Sequence, residues 1–189
     1  MTSVVEIGNI ALVNLGEDTI TSLSDAVKAA RLINRRYAPI RDAVLRAHPW
    51  NCATARAQLA VTDPAPAWGP GAGYQLPSDC LRVLRLEDRS AAWKIEGRRL
   101  LADASAPLNI LYTARVADPN QFDPLLVEAI AARLAADLAH PITQSTTLVQ
   151  LMWDLYRQKL IEARGVDGQE GSGDELFADT WLMARVAAP

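Results

Sequence analysis

The chain has 189 residues, half of them apolar, with a net charge of −3 and a sequence pI near 5.4. Thirty-two residues are alanine, which favours closely packed helices over a large β-sandwich, and the remaining apolar side chains suffice for a real core. No apolar run approaches the roughly 18 residues needed to span a bilayer, and Met1-Thr2-Ser3-Val4-Val5-Glu6 lacks the features of a secretory signal. Two cysteines far apart predict a reducing compartment rather than a disulfide framework, and the mild acidity argues against a DNA-coating protein. The expectation is a protein made inside the cell and kept in solution.

The first predicted helix runs from about Val4 to Leu15. Ser3 and Glu6 have capping-box spacing, and Gly16 supplies a stop. A second helix is expected from Ser22 or Ser24 as N-cap to roughly Ala47. Its buried stripe is Ala26, Ala30, Ile33, Tyr37, Ile40 and Val44, and Pro39 interrupts it. The other side is basic: between Asp25 and Arg46 lie six cations (Lys28, Arg31, Arg35, Arg36, Arg41, Arg46) and two acids. Such a face is either simply solvated or meets an acidic partner.

From Trp50 to Arg115 the period changes to two. Ala55, Ala57, Leu59 and Val61 alternate with Arg56, Gln58 and Ala60, and Trp93 and Ile95 alternate with Lys94 and Glu96. Leu108, Ile110 and Tyr112 repeat the pattern, and Leu81, Val83 and Leu86 follow it less regularly. Glu96-Gly97-Arg98 reads as a hairpin tip, so an antiparallel sheet is predicted. Thr62 to Gly73, rich in proline and glycine, reads as a long loop, with Trp68 expected to pack against something.

Helical character returns at Asp123-Pro124, an N-cap followed by proline at the first helical position. Val127, Ile130, Leu134 and Leu138 form its apolar face, and His140-Pro141 is expected to end it. A last helix carries Leu148, Leu151, Met152, Leu155, Tyr156 and Leu160 and is expected to stop near Gly165. From Gly165 to Trp181 there are five acids and no base, then Phe177, Trp181, Leu182 and Met183 form an apolar tip. This reads as an acidic tether with a docking arm, the alternative being a tail folded back on its own domain.

The predicted fold class is α+β, mainly α: a four-helix bundle with an inserted antiparallel sheet and an extended C-terminal arm. The bundle would comprise residues 1–49 and 115–164, the β insertion 50–114 and the arm 165–189.

Sites of chemistry are absent from this reading. His48, His140, Cys52 and Cys80 show no metal-ligand spacing, and both histidines precede proline at expected helix ends, where they would satisfy terminal carbonyls. Cys52 near His48 lacks an orienting third group and an oxyanion loop, and fits better as a small buried apolar residue. The glycines form neither GxGxxG nor a P-loop. No catalytic, cofactor or metal residue is assigned. That lack of motifs favours a binding or assembly protein.

Several strings point to one family. Ala11-Leu12-Val13-Asn14-Leu15-Gly16-Glu17 followed by Ile20-Thr21-Ser22-Leu23 resembles the opening of phage head-to-tail adaptors. These are the tail tubular protein A family of short-tailed phages, with related adaptors in prophages and gene transfer agents. The resemblance continues through Lys28-Ala29-Ala30-Arg31, through the block Arg41 to Asn51 and through Tyr74 to Val83. It appears again in Tyr112 to Pro124, and spans about residues 5–165. Pro39, and Cys52 where an aromatic residue is expected, depart from the pattern.

The resemblance implies a structural virion protein at the neck or tail, made in the host cytoplasm. It implies a ring of about twelve copies beneath the portal, with the helical part toward the portal and the β part toward the next tail component. DNA would transit the central channel without specific binding. Partner-binding residues on this reading are Lys28, Arg31, Arg35, Arg36, Trp68, Phe177, Trp181, Leu182 and Met183. Other readings are a tail-associated polysaccharide or cell-wall hydrolase, and a DNA-binding factor using the basic second helix.

Overall fold

The computed structural model describes residues 2–62, 68 and 71–170. It is an α+β structure with four helices and two antiparallel sheets. In chain order the elements are α1 (Val4–Leu15), α2 (Lys28–Ala47), β1 (Thr54–Leu59), β2 (Val61–Thr62), β3 (Ala72–Gln75) and β4 (Cys80–Leu86). There follow β5 (Trp93–Glu96), β6 (Arg99–Ala102), β7 (Leu108–Ala114), α3 (Pro124–Thr143) and α4 (Thr146–Asp167).

The first helix starts and stops as its sequence dictates. Ser3 Oγ accepts the Glu6 N–H at 3.1 Å. Gly16, at φ 74°, turns the chain so that its own N–H and that of Glu17 return to the Val13 and Leu12 carbonyls. Gly8 allows α1 to lie close on α2, since a Cβ there would come within 3.0 Å of the Ile33 side chain.

The second helix departs from expectation at its start. Neither Ser22 nor Ser24 caps it; it begins at Lys28 after Val27, and Ala26 is exposed outside it. The cause is Asp25, whose carboxylate accepts the Thr21 and Ser22 N–H groups at 2.8 and 3.0 Å and folds the segment into a turn. Asn9 fixes the same connector from α1, donating to the Ile20 carbonyl and accepting the Ile20 N–H. Pro39 does not end α2. It lies on the exposed side, where the carbonyl left without its N–H can meet water.

Helix α3 is the centre of the helical layer, and α1, α2 and α4 all pack against it. Asp123 Oδ1 accepts the Leu125 N–H at 2.8 Å and Pro124 occupies the first turn. Eleven of its residues are buried, six of them alanines (Ala129, Ala131, Ala132, Ala135, Ala136 and Ala139), so neighbours approach on several sides. His140-Pro141 does not terminate it; α3 continues to Thr143 and closes on Gln144 in the left-handed region. On α4, Ser145 Oγ accepts the Leu148 N–H. Arg133 of α3 lies 4.0 Å above the Trp153 ring and 5.6 Å from that of Tyr156, locking α4 down by cation–π contact. Gly165 does not end α4, which runs on to Asp167.

Among the described residues seven strands lie between Thr54 and Ala114, and their pairings are antiparallel. Instead of the single predicted sheet there are two, in the orders β1-β7-β4 and β2-β3-β6-β5. The alternating run Ala55–Val61 breaks at Ala60, so that Leu59 ends one sheet and Val61 begins the other. Leu59, Val83, Leu86, Ile110 and Tyr112 of the first sheet share a core with Tyr74 and Leu100 of the second. The irregular spacing of Leu81, Val83 and Leu86 reflects two register shifts in β4, at Cys80/Arg82 and Val83/Arg85. Gly97, at φ 58°, turns the β5–β6 hairpin.

Candidate functional site

The basic side of α2 is largely spent inside the molecule. Arg36 makes a two-pronged pair with Asp137 of α3 at 2.6 and 2.9 Å, and Lys28 reaches the Pro141 carbonyl. Arg41 binds Asp42, and Arg46 reaches the Leu81 carbonyl on β4. Arg31 and Arg35 are exposed, and their side chains have no hydrogen bond or ion pair with a described residue. The surface available to a partner is therefore this pair rather than six cations. A DNA-binding face would need more, because affinity for phosphate scales with the number of cations engaged.

Those internal bonds form the seam between the helical layer and the sheets. Asp42 accepts from Arg41 on one oxygen and from Arg115 on the other, at 2.7 Å in each pair. The Arg115 N–H donates to the Asp79 carbonyl at 2.7 Å, and Arg46 anchors β4. Neither Asp42 nor Arg115 stands out in the sequence, since each reads as an ordinary surface charge until the fold places them together.

Trp68 is 88% exposed, with no extensive packing on the described residues. Phe177, Trp181, Leu182 and Met183 lie outside the described residues.

His48 does not serve a helix-end carbonyl. Its Nε2 lies 2.9 Å from Asp167 Oδ2, within hydrogen-bond distance. Asp167 also accepts the Asn51 N–H at 2.9 Å, and its carbonyl accepts from the Asn51 amide at 2.7 Å. His140 is exposed at the end of α3. Cys52 is half-buried and Cys80 buried, and burial pushes both thiols above the ordinary cysteine range, away from a reactive thiolate. Among the described residues no three His, Cys, Asp or Glu side chains converge as a metal site. No helix among them is long and apolar enough to cross a membrane.

One concavity of about 510 Å³ lies on the β1-β7-β4 sheet. Strand alternation turns Leu59, Ile110 and Leu86 to the core and leaves Arg56, Gln58, Asn109, Leu111, Arg85 and Glu87 on the other face. Register places Arg56, Leu111 and Arg85 in one row across the three strands. In the next row the Gln58 amide donates to Asn109 at 3.3 Å, and the Asn109 amide donates to Glu87 at 2.7 Å. The sequence offered the alternation of Arg56 and Gln58 as a signal, but not the strands beside them.

No family model matches the chain, and no curated protein matches it.

Proposed function

We propose that the chain is a head-to-tail adaptor of a phage or phage-derived particle, assembling as a ring of about twelve copies between the portal and the tail. The observation that carries this reading is where the resembling strings meet. Asp42 and Arg46 belong to the block Arg41 to Asn51, Asp79 and Leu81 to the block Tyr74 to Val83, and Arg115 to the block Tyr112 to Pro124. These five residues bond to one another at the seam between helices and sheets. Strings far apart in sequence thus build one joint, as a shared architecture requires.

On this reading the helices packed round α3, residues 1–49 and 115–164, form a four-helix bundle facing the portal. The β insertion, residues 50–114, faces the next tail component. The chain beyond α4 forms the docking arm with Trp181 as anchor, because interface energy concentrates in buried Trp, Tyr and Arg. Arg31, Arg35 and Trp68 offer contacts to neighbouring copies or the portal. DNA passes through the channel without a specific site, the protein's role is structural rather than enzymatic, and its place is the virion neck.

The test is electron microscopy of the purified protein alone and mixed with the portal encoded beside it. Rings that cap the portal vertex are expected. A chain that stays monomeric and ignores the portal overturns the reading.

A further inference from the structure

The second sheet ends on an open edge. Among the described residues β5 has a strand neighbour, β6, on one side only, and all of β5 is exposed. Trp93 pairs with Ala102 and Ile95 with Leu100, so both apolar side chains lie on the face that carries the core. Leu100 and Ala102 are fully buried, yet Trp93 and Ile95 remain 37% and 38% exposed. The core thus continues outward to the edge without a strand to cover its last row.

The rest of the sheet identifies the free backbone groups of that edge. The Leu76 N–H donates to the Arg98 carbonyl at 3.1 Å, so the backbone of Arg98, and by alternation that of Leu100 and Ala102, is turned to β3. Arg99 and Leu101 are therefore turned to β5, where they face Glu96 and Lys94. Trp93 and Ile95 are left with N–H and C=O groups pointing away from the sheet.

A second copy of this strand fits there in one register. Antiparallel pairing that sets Ile95 opposite itself across a two-fold axis lets the two Ile95 residues exchange both backbone bonds. It also puts Lys94 opposite Glu96 of the second copy, and Trp93 opposite Gly97, which leaves room for the indole. Lys94 and Glu96 share the outer face, where they pair at 2.8 Å within one chain. Moving the register by one residue sets Ile95 against a charge and turns the two core faces to opposite sides. Moving it by two sets Lys94 against Lys94 or Glu96 against Glu96. The charges that blunt this edge toward other strands therefore select this one.

We infer that β5 is a homotypic docking edge, pairing antiparallel with β5 of a second copy about Ile95 and joining two four-stranded sheets into one continuous sheet. The strand is short, so association is weak and concentration-dependent. The contact is isologous: it joins copies two at a time and is separate from the heterologous contacts that a ring requires. It stands or falls apart from the adaptor reading.

The experiment mixes full-length Lys94→Cys and Glu96→Cys proteins, one of them ¹⁵N-labelled, oxidises the mixture without denaturant and maps disulfides by mass spectrometry. Positions 94 and 96 of the two copies form a non-hydrogen-bonded pair, whose Cα atoms lie about 4.5 Å apart and suit a disulfide. A link between position 94 of one chain and 96 of the other is expected to exceed 94–94 and 96–96 links at least about fivefold. Ile95→Pro in both chains removes an N–H that only the pairing uses, and should reduce that link at least about tenfold with the circular dichroism unchanged. Ile95→Lys, which sets like charges across the axis, serves if the proline variant does not fold. Links without that preference, no link between chains, or a yield indifferent to position 95 would overturn the inference.

Discussion

Asp167, the last residue of α4, binds His48 just beyond the end of α2: the carboxylate lies 2.9 Å from His48 Nε2 and also accepts the Asn51 N–H. The His48 ring in turn meets Trp50 edge-on at 4.6 Å, and the Trp50 indole, buried, donates to the Val44 carbonyl. A residue that reads as part of an acidic tether thus clamps two helix ends and the entrance to β1.

Asp167→Ala should therefore destabilise the fold by ~1 kcal/mol, because the carboxylate's bonds to His48 and to the Asn51 N–H are removed. Asp167→Asn keeps an acceptor oxygen and should recover part of the loss. Urea denaturation of the three proteins measures both.

The basic face of α2 divides into structural and available cations. Arg36→Ala should cost up to about 1 kcal/mol, since Arg36 is half-exposed and solvent screens its pair with Asp137. Arg31→Glu with Arg35→Glu should leave the unfolding midpoint within about 0.5 kcal/mol of the parent while weakening self-assembly, most at low salt. Analytical ultracentrifugation at two ionic strengths checks it. Equal assembly by parent and variant would return this face to plain solvation. Reversing Arg36 would confound the test by setting a second acid against Asp137.

Trp68→Ala should likewise leave thermal stability unchanged, because the ring is 88% exposed and has little packing on the described residues to lose. A fall in stability would place Trp68 in the monomer's own core. A fall in ring formation with stability intact would make it an interface residue.

Asp25 has a pH consequence. The Ser22 and Thr21 N–H groups hold its carboxyl below the ordinary 3.8. A depressed folded-state pKa means its stabilising contribution is complete above 3.8 and is lost as pH falls below that through the lowered value. NMR titration should show the Thr21 and Ser22 amide shifts constant from neutral pH to about 5 and moving only at more acid pH, together with the Asp25 carboxyl carbon. Asp25→Asn should abolish that titration.

Local rules sufficed wherever the deciding atoms were close in sequence. Ser3, Gly16 and Asp123-Pro124 set their helix ends through bonds spanning a few residues, and strict alternation marked Leu108–Ala114 as a strand. The same rules failed at Ser22, where the Asp25 carboxylate competed for the backbone, and at Pro141, where α3 continued through proline.

The sequence by itself determined the order of the elements: two helices, a strand region between Thr54 and Ala114, and two more helices. Periodicity is a property of neighbours along the chain, so it survives without a structure. Only the tertiary structure decided that the strands divide into two sheets, that Arg36 and Arg46 are spent internally, and that Arg56, Leu111 and Arg85 share a row. Those facts depend on partners dozens of residues away. A charge has the same letter whether it faces water, a carboxylate or a carbonyl, and only the fold supplies the distance that distinguishes them.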